Sequence, residues 1–337
     1  MGRVLAVLCA LSFLILAGAA AAEPVKIRGS FVVPVANWQT ILFAKPGLAK
    51  HLGESYTFDA VRFQGTPEMV QALATGDLDI ADISFTALAI AILNAGMNDI
   101  RIIADEFQDG APGYYSNETF VLNDSPIKTV EDLKGHILAT NISGGVVDIT
   151  LRSMLRQHHI DDKRDVTMIE IPFRSMQGAL FDRKVDTMSG AVPFSFDTKL
   201  RAGARVLFAQ REALGRTQMI MWAARAGFIA KNRAALVDFL EDAVRAERWY
   251  LDAANHQDVV EIAARIGKQP AEYWDAWLFR KNGQSGDYYR DPNGMPDLAA
   301  LQKNIDAQHE LGFIKSSFPV KNYADLGPVG EAAARLK

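Results

Sequence analysis

The stretch Leu133–Asp148, LKGHILATNISGGVVD, changes its hydrophobic pattern twice. His136-Ile137-Leu138-Ala139 is a short apolar run and predicts a buried strand. Asn141-Ile142-Ser143-Gly144-Gly145 follows, a turn of residues that tolerate unusual backbone angles or bond to their own backbone. Val147, Leu151, Met154 and Leu155 then recur at helical spacing. A strand, a Gly-rich turn and a helix put the helix's first N–H groups at the carboxyl end of the strand. Open α/β sheets bind ligands there, and such N–H groups suit an anion.

The same alternation runs through the chain. Strands are expected at Val25–Gly29, Tyr56–Phe63, Leu78–Ile83, Ile100–Ala104, Thr119–Leu122, Val166–Ile171, Val185–Met188 and Thr217–Ala223. Helices are expected between them. Asn37 is placed to cap one carrying Trp38, Ile41, Leu42 and Leu48, and Thr66 one with Pro67 at its first position. Ser84-Phe85-Thr86 opens an apolar helix from Ala87 to Ala95. Asn232 precedes a long amphipathic helix with Leu236, Phe239, Leu240 and Val244 inward, and helical patterns continue to Leu311, broken by a loop over Asn282–Pro296.

One segment repeats. Glu68–Asp79 aligns without gaps on Ser175–Asp186, an offset of 107, with Met, Ala-Leu and the final Asp in common. Both copies follow an expected strand. Two similar α/β lobes imply a cleft between them, a common place for small-molecule sites. The strands Thr119–Leu122 and Thr217–Ala223 read as the crossings, so the first lobe is expected from residues 23–122 and 216–337 and the second from 123–215.

Composition narrows the function. Of 337 residues, 49% are hydrophobic and 23% charged, as in ordinary globular proteins, and the net charge of −4 with scattered Lys and Arg argues against nucleic acid. Arg3, the apolar run Val4–Leu16 and Ala20-Ala21-Ala22 before Glu23 have the layout of a cleaved export signal over residues 1–22. Cys9, the single cysteine, lies inside it, so the exported chain would have no disulfide, thiolate metal site or catalytic thiol. A bacterial periplasm fits.

Catalytic patterns are missing: no G-x-S-x-G, H-E-x-x-H, P-loop or G-x-G-x-x-G occurs. The six histidines form no i, i+4 ligand pair, and Asp77, Asp79 and Asp82 lack the Gly and Glu of a calcium loop. No metal or cofactor is expected. The turns at strand ends do supply binding groups: Asn37 and Trp38, Ser84 and Phe85, Asn141, Ser143, Gly144 and Gly145, and Pro193 and Phe194. Tyr115 joins them from the Tyr-rich loop, with Arg174 and Met219 as further candidates. Hydroxyls, amides, N–H groups and aromatic faces suit a carboxylate or sulfonate on an apolar body.

Thr129-Val130-Glu131-Asp132-Leu133-Lys134-Gly135, the Gly-rich turn, Asp165-Val166, Met176…Ala179-Leu180…Val185-Asp186 and Pro193-Phe194 together resemble the periplasmic substrate-binding proteins of ABC importers. The branch is that for sulfonates, taurine, nitrate and thiamine-pyrimidine compounds, and the likeness spans Val25 to about Ile314. It implies a type II two-lobed α/β fold with two crossover strands, closure on a ligand, and delivery by a monomer to a permease and its ATPase. The bulky loop Phe31–Trp38 and the pairs Tyr114-Tyr115 and Tyr288-Tyr289 depart from the branch and favour an organic acid over a small inorganic anion. Two alternatives stand beside this reading: an enzyme like the pyrimidine synthase of the same fold, and a ligand-sensing subunit of a membrane receptor.

Overall fold

The computed structural model describes residues 23–37, 44–279 and 286–337. The expected export signal and Trp38, with Ile41 and Leu42 of its helix, lie outside the described residues. Leu48 sits in a turn rather than a helix. Among the described residues no helix is long and apolar enough to cross a membrane.

Among the described residues ten strands form two sheets of like design. They are β1 (Val25–Phe31), β2 (Tyr56–Arg62), β3 (Ile80–Ser84), β4 (Ile100–Asp109) and β5 (Glu118–Leu122), then β6 (Ile137–Thr140), β7 (Thr167–Glu170), β8 (Met188–Gly190), β9 (Ala204–Ala209) and β10 (Thr217–Arg225). The first sheet has the order β2-β1-β3-β10-β4, with β10 antiparallel to both neighbours. In the second, β8-β5-β9 has β5 antiparallel to both neighbours, and β6-β7 is a parallel pair. A parallel bridge from Leu138 to Thr187 joins β6 to β8, so the second order is β7-β6-β8-β5-β9.

Each sheet therefore has four mutually parallel strands and one antiparallel strand that comes from the other half of the chain. β5 follows β4 directly yet pairs in the second sheet, and β10 follows β9 yet pairs in the first. The exchange is reciprocal. Both connections, 110–117 and 210–216, run between the sheets.

The sequence repeat has a structural cause. The helices Thr66–Thr75 and Phe173–Phe181 begin 107 residues apart, the offset of the repeat. The chain then turns through a left-handed residue at the same offset, Gly76 (φ 79°) and Arg183 (φ 54°). Next, the Asp79 N–H donates to the Arg28 carbonyl of β1 while the Asp79 carboxylate accepts the Arg28 N–H at 2.9 Å. Asp186 does the same for Ile137 of β6, accepting its N–H at 2.8 Å. The shared Asp fixes the start of one strand against the next in each sheet.

Packing follows the strand period. Phe120 and Leu122 face one cluster, with Met176, Leu180 and Met188, while Val121 faces another, with Leu138, Val147, Leu151 and Leu155. The second sheet is thus buried on both faces. The helix expected from the opening stretch is there, Val146–Gln157, with those four residues inward. In the first sheet the helix Arg233–Leu251 packs Leu236, Phe239 and Leu240 inward.

Several local expectations are corrected. Gly65, not Thr66, is the N-cap of the helix Thr66–Thr75, because the Thr66 hydroxyl pairs with the Ser84 hydroxyl at 2.7 Å. The apolar helix begins at Phe85 and widens into a π-turn over Ile90–Asn94. Asn232 occupies the cap position, but its amide donates back to the Phe228 carbonyl. β8 lies slightly beyond the expected Val185–Met188, and β4 runs five residues past Ala104. β9 was not foreseen at all.

Asp79→Ala and Asp186→Ala should each lower unfolding stability by about 1–3 kcal/mol, since each removes a carboxylate from a strand N–H. Urea titration of the two variants checks this, and equal loss in neither would deny the shared role.

Candidate functional site

The carboxyl ends of the parallel strands in both sheets point at one another across a cavity of about 520 Å³, its mouth to solvent included. From the first sheet come Val32, Val33, Ala36 and Asn37 after β1, Gly65 and Thr66 after β2, and Phe107 of β4. From the second come Asn141, Ile142, Gly145, Val146 and Val147 after β6, Phe173 after β7 and Ala191 after β8. Met219 and Ile220 of β10 and Tyr288 complete the wall.

The structure brings together four of the residues singled out in the sequence: Asn37, Asn141, Gly145 and Met219. Phe194 and Arg174 line an adjoining groove with Arg62, Phe63 and Gln64. Phe194 stacks on Phe173 there, with centroids 6.1 Å apart. Others stand behind the wall. Ser84 is fully buried, its hydroxyl capping the Ala87 N–H and pairing with Thr66 and Thr86. Phe85 is core. Tyr115 donates to the Gly190 carbonyl at 2.8 Å and packs on Tyr288. Pro193, after a cis peptide bond, accepts from the Tyr273 hydroxyl at 2.6 Å.

The polar groups on the wall already have partners. Asn37 Oδ1 accepts the N–H groups of Val32 and Val33, and its amide donates to Asp82 at 3.1 Å and Glu106 at 2.9 Å. That is its full hydrogen-bonding capacity, so it shapes the loop after β1. The Tyr288 hydroxyl donates to Asn117 Oδ1 at 2.6 Å. In the Gly-rich turn, Ser143 N–H goes to Glu170, Gly144 N–H to Asp148, and Gly145 N–H to the Ile142 carbonyl. The turn amides expected to face an anion are thus held by two carboxyl groups and a carbonyl. Gly144, at φ 72°, occupies a backbone region that favours glycine.

Further contacts tie the two halves together around the cavity. Gln64 Nε2 donates to the Asn141 carbonyl at 2.9 Å while Asn141 Nδ2 faces the Gln64 carbonyl at 3.4 Å. Gly65 meets Ile142 so closely that any Cβ would clash with it at 2.5 Å. Phe196 stacks on Trp277 at 4.5 Å, nearly parallel.

The crossings lie side by side at the far edge. Gln210 N–H donates to the Asn117 carbonyl at 2.7 Å, and Asn117 Nδ2 to Gln210 Oε1 at 3.1 Å. Asp109, fully buried at the end of β4, accepts from Ser116 Oγ at 2.5 Å and from Asn117 N–H at 2.7 Å. Burial pushes its carboxyl up to about 7 despite those donors. Asp105, buried four residues earlier, is also raised by burial to about 7, against bonds from Gln218 and the Asp291 N–H.

Phe107, Phe173 and Tyr288 were not picked out as wall residues. The Tyr288-Tyr289 pair was the one signal among them. Elsewhere, His51, Asp238 and Glu241 gather ligand atoms within 4.8 Å, but Arg335 already bonds Asp238 and Arg245 pairs with Glu241.

Two like sheets that exchange a strand and close their carboxyl ends on one cavity define a two-lobed α/β binding-protein fold. The chain belongs to the NMT1-like family, whose sequence profile matches residues 20–264. The alkanesulfonate-binding protein SsuA from Xanthomonas axonopodis pv. citri, bound to MOPS, shares the fold at 18% identity and a TM-score of 0.71, covering 91% of this chain and 100% of its own. The periplasmic nitrate-binding protein NrtA from Synechocystis PCC 6803 does so at 15% identity and 0.74, covering 94% and 90%. The desulfurization enzyme DSZB has the same fold at 14% and 0.63, covering 93% and 100%. No curated protein matches the chain in sequence.

The unfolded chain releases the protons of Asp105 and Asp109 near pH 4, whereas the native protein holds them to about pH 7. Native stability from these groups is therefore highest at low pH and falls as pH rises from about 4 to 7, by at most about 1.4 kcal/mol per pH unit for each. Urea midpoints at pH 5 and pH 8 should show the decline, and Asp109→Asn should flatten it.

Proposed function

We propose that the chain is the periplasmic solute-binding component of an ABC importer, which captures a small organic anion of carboxylate or sulfonate type between its lobes. The observation that carries this reading is the cavity walled by the strand ends of both sheets, with the chain crossing between them twice. Such a wall is complete only when the lobes meet, which couples capture to closure. In this reading the lobe boundaries, expected at 122 and 216, fall instead in the two connections, because β5 pairs with β8 and β9: residues 23–109 and 217–337 make one lobe, 118–209 the other, and 110–117 with 210–216 the hinge. The protein is exported by removal of residues 1–22 and acts as a monomer that hands its ligand to a permease powered by an ATPase.

An enzyme on this fold is the second reading, since a desulfurization enzyme shares it. The wall favours holding. Among the described residues no His, Cys, Lys, Asp or Glu side chain lines the cavity, and its two hydroxyls are bonded within the protein, Thr66 to Ser84 and Tyr288 to Asn117.

Titration calorimetry against alkanesulfonates and aromatic carboxylates tests the proposal. A ligand at a hundred times its Kd should stabilise the protein by about 2.7 kcal/mol, read as a rise in melting temperature. Ala191→Trp and the milder Val146→Phe, both filling the cavity, should abolish that rise while circular dichroism stays native. An unaltered rise in both variants, or silence across the panel, would overturn the site or the function respectively.

A further inference from the structure

The helix Val146–Gln157 starts in the cavity wall and ends about 18 Å away. A string of charged groups runs down one of its faces, since Asp148, Arg152 and Arg156 recur at i, i+4. Asp148 Oδ2 accepts the Gly144 N–H of the Gly-rich turn at 3.0 Å, and its Oδ1 accepts from Arg152 Nε at 2.8 Å. Arg152 Nη1 donates onward to Asp162 at 2.7 Å. Arg156 holds the same carboxylate with two donors, Nε at 2.7 Å and Nη2 at 3.1 Å. Asp148 and Asp162 are buried, and every link of the string lies within the second half of the molecule.

Arg156 has one nitrogen to spare. Its Nη1 donates to the Leu311 carbonyl, at the C-cap of the helix Leu298–Glu310, and its guanidinium stands 4.0 Å over the Phe313 ring. That helix belongs to the other half, where Asn304 accepts the Gln218 N–H of β10 at 3.0 Å. A helix's last carbonyls lack internal partners and carry partial negative charge, so a cation suits them. An aromatic face attracts the same cation. Among the described residues no backbone N–H reaches the Leu311 carbonyl. The contact is made together with the Gln64–Asn141 pair at the cavity rim, yet neither Arg156 nor Phe313 lines the cavity.

Resting on the ligand-capturing reading above, we propose that Arg156 is a clasp between the lobes, a positioning residue that sets how firmly the cleft holds a ligand without touching it. Asp162 fixes the guanidinium through two donors before the lobes meet, so little side-chain freedom is lost when the third donor finds Leu311. When the lobes part, the carbonyl and the ring return to water and the Asp162 pair stays. The clasp therefore favours the closed arrangement by a modest factor and does not lock it. Apparent affinity is the intrinsic affinity scaled by the fraction of molecules in the binding-competent form. A weaker clasp lowers that fraction for every ligand alike, whereas a wall residue changes one ligand against another.

Nitroxide labels on Glu54→Cys and Lys184→Cys, exposed positions on the two lobes, report the closed fraction by electron–electron double resonance in a Cys9→Ser background. The probes are hexane-1-sulfonate and 3-phenylpropanoate. Arg156→Gln and Phe313→Leu should each lower the closed fraction, both without probe and at a fixed probe concentration. Calorimetry should show Arg156→Gln weakening both probes by one common factor of about ten, and Phe313→Leu by one of about three. Arg156→Lys, which keeps the charge, should recover part of the loss. Unchanged closed fractions and affinities in both variants, or a lower urea midpoint with the closed fraction unchanged, would leave Arg156 an ordinary structural residue and overturn the clasp. Unequal loss for the two probes would make it part of the wall and overturn the clasp as well. If the closed fraction falls in both variants while neither probe binds the wild type, the clasp stands and the anion reading fails.

Discussion

The fold depends on a buried set of hydrogen bonds where the chain passes twice from one sheet to the other. Asp109, Ser116, Asn117 and Gln210 lie within a few residues of both crossings and satisfy one another almost without water. Each group is costly to bury alone and acceptable only because its partner is in place. The set therefore holds the two connections in register and lets each sheet receive its antiparallel strand from the other half. β10 joins β3 to β4 and β5 joins β8 to β9, so without these two strands each sheet would be split.

From that constraint the site follows with few additions. Once the sheets share their strands reciprocally, their carboxyl ends converge, and the loops after β1, β2, β6, β7 and β8 must form the wall. The wall is apolar because its few polar side chains are turned to structural tasks: Asn37 organises the loop after β1, Thr66 pairs with Ser84, and Tyr288 anchors on Asn117.

Much of this was legible in the residues. Strand and helix periods marked most strands and the longest helices, though not the helices Thr198–Gly203, Gln210–Leu214, Ala226–Lys231 and Gly327–Arg335, and the repeat from Glu68 and Ser175 marked the kinship of the sheets. The shared Asp of that repeat proved to hold a strand start in each. What could not be read was long-range pairing. Asn37 has the composition of a ligand-binding amide, and its partners Asp82 and Glu106 are 45 and 69 residues away. The Gly-rich turn has the look of an anion grip, but Glu170, on the neighbouring strand, takes the Ser143 N–H. Local pattern shows which groups can bond, while the tertiary fold decides which remain available. β9 escaped notice because its short run, ARVLFA, alternates no better than the turns beside it.

The stacked rings of Phe196 and Trp277 carry a consequence of another kind. Phe196 follows β8 and Trp277 lies in the helical tail, so the pair spans the gap between the halves, face to face and only 4.5 Å apart. Indole emission responds to its immediate neighbours, and separating the rings would expose one face of Trp277 to solvent. On the closure proposed above, the pair is an intrinsic optical gauge of opening, placed outside the cavity wall.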